Sequence, residues 1–90
     1  MTVTREVTVP NSLGLHARAA AKFVQAASRF AAAITVTRGD RTVDGKSIMG
    51  MLLLAAARGS SVSIAATGAD AAAAVEELVG LVASGFGEGV

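Results

Sequence analysis

Hydrophobic and polar residues alternate in four short stretches of the chain, and this period of two predicts four β-strands. In the first stretch Val3, Val7 and Val9 share one parity, while threonines occupy most of the other. Alternating β-branched residues are typical of a strand with one buried face. The four predicted strands cover residues 2–9, 34–37, 41–43 and 62–64. Gly39-Asp40 separates the second from the third, which predicts a hairpin.

Three other segments predict helices: in the first and last, apolar residues recur three or four positions apart, and the middle one is a short apolar helix. They cover residues 17 to about 30, 48 to about 57, and a final segment after Asp70. Ser47 and Asp70 precede the second and third of these segments, and both residue types are favoured N-caps. The predicted buried faces are Ala20, Val24, Ala27 and Phe30 in the first helix and Val75, Leu78, Val79 and Val82 in the last.

The predicted elements follow one another in the order βαββαβα, and the glycine-rich tail 85–89 is expected to be a frayed end. Helices that interrupt an antiparallel sheet pack most economically together on one side of it. We therefore expect an α+β open-faced sandwich, with a four-stranded antiparallel sheet and three helices on one face. Ninety residues provide one modest core, so residues 1–90 are expected to form a single domain.

Composition and charge exclude several classes of function. Eight Lys and Arg against seven Asp and Glu give a net charge of +1, and the only aromatic residues are three Phe. Nucleic-acid binding is therefore not expected. Without Cys, and with one His, the chain offers no recognisable metal-ligand spacing, and we expect neither a metal nor a cofactor.

The longest apolar run, Met51–Ala57, is far shorter than the roughly 20 residues that cross a bilayer. The N-terminal residues alternate, and they lack the cationic start and apolar core of a signal peptide. We expect no membrane insertion and a cytoplasmic location.

The single histidine, His16, lies where a strand-ending loop meets the first predicted helix. At the N-cap its ring would lie beside the unpaired N–H groups of the first helical turn, which favour anions. Arg18 adds a guanidinium whose geometry matches phosphate. A nucleophilic ring, backbone donors and a guanidinium together predict a site that carries phosphate on nitrogen. Separately, His16 could be only a cap and Arg18 only a solvated side chain.

Residues 11–20, NSLGLHARAA, resemble the active-site stretch of the HPr family, the histidine-containing phosphocarrier proteins of the bacterial phosphotransferase system. A second resembling motif, GKSIMG, covers residues 45–50, and length and element order extend the resemblance over essentially the whole chain. The resemblance implies that enzyme I, itself phosphorylated from phosphoenolpyruvate, phosphorylates Nδ1 of His16. The phosphoryl group would then pass to A-type domains of enzyme II, for sugar uptake or regulation. The Asn-x-Leu-Gly-Leu-His spacing is more similar to the nitrogen-type branch and its equivalent partners.

The phosphate is expected to contact the backbone N–H groups of Ala17 and Arg18, with Ala19 as a further candidate. Most family members have proline where this chain has Ala19, and that departure puts the rigidity of the loop in question. Proline in a first turn gives up an N–H without a helical partner, so alanine should hold the helix equally well.

A short helix cannot turn all of its six large apolar residues toward one sheet, so some of those after Ser47 are expected to be exposed for docking. The resemblance implies that Arg18, Ala21, Ile48, Met49 and Leu52 contact enzyme I and its acceptors.

Ser47 matches a serine that, in some family members, a dedicated kinase phosphorylates and a phosphorylase dephosphorylates. Helix capping already explains this residue, and we favour it.

The expected role is that of a monomeric carrier that is a reactant in a relay rather than an enzyme. One alternative is a regulatory module that docks on other proteins without relaying phosphate, and such a module would not need His16. A small RNA-binding α/β domain is the other alternative, and the shortage of aromatic residues and of charge argues against it.

Overall fold

The alternating and helical segments of the sequence form the predicted succession of elements in a computed structural model, which describes residues 1–88. The elements are β1 (Thr2–Thr8), α1 (Ala17–Ala27), β2 (Ala33–Arg38), β3 (Arg41–Asp44), α2 (Ile48–Leu54), β4 (Ser61–Thr67) and α3 (Ala71–Ala83), followed by a 3-10 turn at Gly85–Gly87. The predicted order βαββαβα is confirmed.

The four strands form one antiparallel sheet in the order β1-β4-β2-β3. Val36 of β2 lies opposite Ile64 of β4 on one side and Val43 of β3 on the other. Along β2 and β4 the buried residues alternate with less buried or exposed ones, as a sheet with one covered face requires. The predicted open-faced sandwich, with its helices on one face, is confirmed.

The core lies between the covered face of the sheet and the helices. Phe23 of α1, Met51 and Leu54 of α2, and Leu78 of α3 are all fully or almost fully buried. The buried side of α1 is centred on Phe23, whereas Val24 and Phe30 of the predicted face are only partly buried.

Two helices end three residues earlier than the sequence predicts. The helical hydrogen bonds of α1 end near Ser28, and Phe30 lies in the following loop, where its carbonyl oxygen accepts a hydrogen bond from Nζ of Lys46 at 2.7 Å. α2 ends at Leu54 because Ala55 adopts a left-handed conformation, with φ of 55°. The left-handed turn at Ala55 and the hydrogen bond from Lys46 to the backbone of Phe30 accompany these helix ends. The spacing of apolar residues contains no information about either.

Asp70 precedes α3 as predicted, but its side chain does not cap that helix. Its two carboxylate oxygens accept hydrogen bonds from the backbone N–H groups of Ala31 and Ala32, at 2.8 and 2.9 Å. The predicted N-cap position of Asp70 is therefore confirmed, although its side chain makes no capping hydrogen bond to α3. The carboxylate instead ties the start of α3 to the loop that leads into β2.

The prediction of a frayed tail is wrong for residues 85–88. The Phe86 side chain is 1% exposed and belongs to the core, and Gly85 is also buried. Burial of the Phe86 side chain in the core holds the glycine-rich segment in place. Gly89, the last residue of the predicted tail, lies outside the described residues.

Within residues 1–88, none of the helices has both the length and the apolar character needed to cross a bilayer.

Candidate functional site

The loop between β1 and α1 makes a close backbone contact with residue 56 at Gly14. Its φ is 62°, and an added Cβ would lie 2.5 Å from the carbonyl oxygen of Ala56. Leu15 N–H donates a hydrogen bond to that same oxygen at 2.9 Å. Only glycine allows both the left-handed turn and this approach, so Gly14 fixes the position from which α1 begins.

His16 occupies the N-cap position of α1 with extended backbone angles, as the sequence predicts. Its carbonyl oxygen accepts the first helical hydrogen bond, from Ala20 N–H at 2.9 Å. The preceding N–H groups of Ala17, Arg18 and Ala19 have no backbone partner within the described chain. The helix therefore presents three free donors and the positive end of its dipole beside His16.

The imidazole ring of His16 does not cap α1. It lines an open cleft of about 730 Å³ together with the exposed side chain of Arg18 and with Lys22. About a quarter of the His16 side chain is exposed to solvent. The cleft brings a ring nitrogen, two cationic side chains and the carboxylate of Glu88 to one place, and the two cations suit a doubly charged phosphoryl group.

The ring of His16 makes its hydrogen bond through Nε2, to Oε2 of Glu88. The other carboxylate oxygen, Oε1, accepts a hydrogen bond from Nδ2 of Asn11 at 3.0 Å. Asn11 is fully buried, and its Nδ2 also donates to the carbonyl oxygen of Gly14 at 2.8 Å. Its Oδ1 has no hydrogen-bond partner among residues 1–88.

Desolvation in the cleft raises the pKa of the Glu88 carboxyl, but opposing effects are larger in sum. Hydrogen bonds from His16 and Asn11, and the charges of His16 and Lys22, lower the pKa of this carboxyl below its usual value. Glu88 is therefore ionised at neutral pH, and both its oxygens act only as acceptors.

The predicted docking residues lie on two neighbouring helices, α1 and α2. Ile48 is 46% and Met49 65% exposed, which confirms the expectation that part of α2 faces outward. Leu52 and Ala21 are only partly exposed. The sequence reasoning did not single out Leu53 of α2 or Leu13 of the preceding loop, although both are highly exposed.

Sequence reasoning also missed Asn11, Lys22 and Glu88. In the sequence analysis Asn11 appears only as the first residue of the HPr-like motif, and Glu88 only within the tail that was expected to be frayed. One signal was present, because Phe86 is a large apolar residue within a glycine-rich segment and predicts local docking. Nothing local indicates that this docking places Glu88 against His16.

Comparison with known proteins identifies the family to which this arrangement belongs. A family model described as "PTS HPr component phosphorylation site" matches residues 3–84. The phosphocarrier protein HPr of Neisseria meningitidis is 47% identical over 85 residues, which cover 94% of this chain and 96% of that protein. This chain belongs to the HPr family. Like its relatives, it is a phosphocarrier of the bacterial phosphotransferase system.

Two further HPr-family comparisons extend the similarity. The crystal structure of HPr-C-His from Thermoanaerobacter tengcongensis superposes with a TM-score of 0.94 at 41% identity, over 98% of this chain and 99% of that one. A phosphocarrier protein NPr from Shewanella violacea is 40% identical over 84 residues, or 93% of this chain and 92% of that protein.

Proposed function

We propose that Nδ1 of His16 accepts the phosphoryl group from phosphorylated enzyme I and passes it to an A-type domain of enzyme II. The observation that carries this proposal is the position of the ring, partly exposed in the cleft at the start of α1. No other residue of the chain has an imidazole. We propose that residues 1–90 act as one monomeric cytoplasmic domain, which needs neither a cofactor nor a metal.

The transfer is a displacement at phosphorus in which one bond forms and one breaks. The lone pair of Nδ1 forms the new N–P bond, while the bond between phosphorus and the donor atom breaks and its electron pair returns to the donor. The free N–H groups of Ala17 and Arg18 and the guanidinium of Arg18 are the groups available to stabilise the phosphoryl oxygens. The chain is a reactant in both steps and by itself catalyses none.

Exposed apolar side chains on α2, which packs against α1, support docking of both donor and acceptor. Ile48 and Met49 project from the first turn of the helix, and Leu52 lies partly exposed one turn later. Ala21 and Arg18 extend the surface onto α1. Because methionine adapts to different surfaces, one small patch can contact several partners.

For Ser47 we propose a capping role. Its Oγ accepts a hydrogen bond from Gly50 N–H at 3.0 Å, which is the geometry of an N-cap. A phosphate added here by a kinase would place negative charge beside the exposed Ile48 and Met49 and would weaken docking.

The decisive experiment is incubation of the purified protein with phosphoenolpyruvate and a catalytic amount of enzyme I, followed by intact mass measurement. We expect one phosphoryl group that is lost in acid and retained in base, and none in His16→Ala. Addition of an A-type domain should return the carrier to its original mass. Labelling that survives His16→Ala would remove this residue from the role. A chain that binds enzyme I but gains no mass would be a docking module instead.

A further inference from the structure

The carboxylate of Glu88 divides its two oxygens between two donors. Oε1 accepts from Nδ2 of Asn11 at 3.0 Å, and Oε2 accepts from Nε2 of His16. Glu88 lines the cleft together with His16, and its side chain is 19% exposed. The anchored Phe86, two residues before it, limits where this carboxylate can lie.

Asn11 holds the carboxylate rigidly because its own amide group has a fixed orientation. Its Nδ2 donates both to Gly14 O and to Glu88 Oε1. Rotating the amide by half a turn would place Oδ1 against two acceptors and would leave both hydrogen bonds unmade. Full burial in the loop before α1 also restrains the side chain.

The hydrogen bond between Glu88 and His16 determines which ring nitrogen carries the proton. An ionised carboxylate can only accept, so Nε2 must be the donor. A neutral imidazole has one N–H, and if this is on Nε2 then Nδ1 has the free lone pair. Within residues 1–88, Nδ1 has no hydrogen-bond partner that would compete for it.

We propose that Glu88, anchored by Asn11, is a positioning residue that keeps the proton on Nε2 of His16 and thereby presents an unprotonated Nδ1 to the phosphoryl group. This inference rests on the function proposed above. It assigns to the segment after α3 a role in the reaction, although this segment is 72 residues away from His16 in the chain.

The proton arrangement suits both directions of transfer. When the lone pair of Nδ1 binds phosphorus, the ring becomes a cation that keeps its proton on Nε2, facing the carboxylate of Glu88. When the phosphoryl group leaves, the N–P electron pair returns to Nδ1 and the ring becomes neutral again with the same proton on Nε2. No proton has to move in either step, and the carboxylate stabilises the cationic form.

Glu88→Gln provides a specific test because an amide has only one acceptor oxygen. If that oxygen keeps the hydrogen bond from Asn11, the new NH₂ group faces Nε2 of His16. An NH₂ donor favours a lone pair on Nε2 and so moves the ring proton to Nδ1, where it blocks attack. Glu88→Ala removes the interaction without imposing the wrong tautomer, so it should be less impaired than Glu88→Gln.

Two measurements should be made on the parent, both Glu88 variants and the control Glu76→Gln, which makes the same change on the exposed side of α3. The first is the ¹⁵N chemical shift of the ring nitrogens at alkaline pH, which reports the tautomer of the single histidine without any phosphoryl transfer. The second is the initial rate of phosphorylation by enzyme I. We expect more Nδ1–H in Glu88→Gln, with a rate lower by about tenfold, as the loss of one charge-assisted hydrogen bond implies, and parent-like values in Glu76→Gln.

The outcomes separate this inference from the proposed function. A parent protein that gains no phosphoryl group on His16 overturns the proposed function and, with it, the part of the inference that concerns transfer. A parent that is phosphorylated normally, with both Glu88 variants equal to it in tautomer or in rate, overturns the role of Glu88 alone. The role of Glu88 is supported if Glu88→Gln is phosphorylated more slowly and the ring proton of His16 in that variant has moved to Nδ1.

Discussion

Nζ of Lys22 in α1 donates a hydrogen bond to the carbonyl oxygen of Phe86 at 2.8 Å. This contact joins the helix that begins at His16 to the segment that ends at Glu88. The ring of Phe86 is buried beneath it. The last described residues are therefore part of the core and of the candidate site at once, which makes Phe86 the first residue to test.

Phe86→Ala should lower the free energy of unfolding by about 3 kcal/mol, because it removes a buried aromatic side chain. The measurement is chemical denaturation monitored by circular dichroism. Leu13→Ala is the matched control, since Leu13 is 73% exposed and its truncation should cost less than about 0.5 kcal/mol. Equal stabilities of the two variants would show that the segment does not dock in solution.

Asp70→Asn should lower the thermal midpoint at neutral pH. Hydrogen bonds from the backbone N–H of Ala31, then that of Ala32, outweigh desolvation and hold the pKa of Asp70 below its ordinary value of 3.8. A carboxyl with a lowered folded-state pKa stabilises the protein above the unfolded-state pKa, and that stability is lost as the pH falls through the folded-state value.

The difference in thermal midpoint between parent and Asp70→Asn should therefore shrink below about pH 4. Melting curves across this range test the expectation. Asp40→Asn, in the exposed turn between β2 and β3, is the control and should match the parent at every pH. A constant difference between parent and Asp70→Asn at all pH values would rule out the charge as its source.

Arg18→Ala should slow phosphorylation by enzyme I by about tenfold or more, since a charge-assisted hydrogen bond contributes roughly 1.5–3 kcal/mol. Its stability should change by less than about 0.5 kcal/mol, because the side chain is exposed. Arg58→Ala, an exposed arginine that does not line the cleft, serves as the control. If both variants react at the parental rate, Arg18 has no part in the transfer.

Ala19→Pro should fold normally and accept phosphate at the parental rate. The N–H of Ala19 has no backbone partner, so proline removes no helical hydrogen bond. Because the Ala19 side chain is fully buried, a folded variant would also show that the core accommodates the pyrrolidine ring of proline. Initial rates and thermal midpoints are compared with those of the parent.

Ala20→Pro is the control for this substitution, because the Ala20 N–H donates to His16 O. It should cost about 3 kcal/mol of stability. A stable Ala19→Pro variant that accepts phosphate slowly would instead indicate that the Ala19 N–H contacts the phosphate.

Met49→Glu should leave the fold intact, with a change below about 0.5 kcal/mol, because Met49 is 65% exposed. It should raise KM for enzyme I by about fivefold, equivalent to roughly 1 kcal/mol, and change kcat less. Steady-state kinetics provide the measurement. Thr4→Glu, which adds the same charge on exposed β1, should leave KM unchanged. An unchanged KM in Met49→Glu would place the docking surface elsewhere.

Local sequence patterns determined most of the elements and part of the site. Alternation in 34–37 and 41–43 predicted the hairpin of β2 and β3, and Ser47 was correctly placed as the cap of α2. His16 was correctly placed at the start of α1. These features depend on side-chain spacing and on hydrogen bonds between near neighbours, which a short stretch of sequence contains in full.

Only the tertiary structure decided where Asp70 and Glu88 make their contacts. Asp70 binds the backbone of a loop 38 and 39 residues away, and Glu88 contacts a ring 72 residues away. Local sequence gives each carboxylate several possible partners. Which partner it meets depends on how α3 packs on β1 and β4 and on where Phe86 enters the core, because these packing contacts bring groups together that are far apart in the chain.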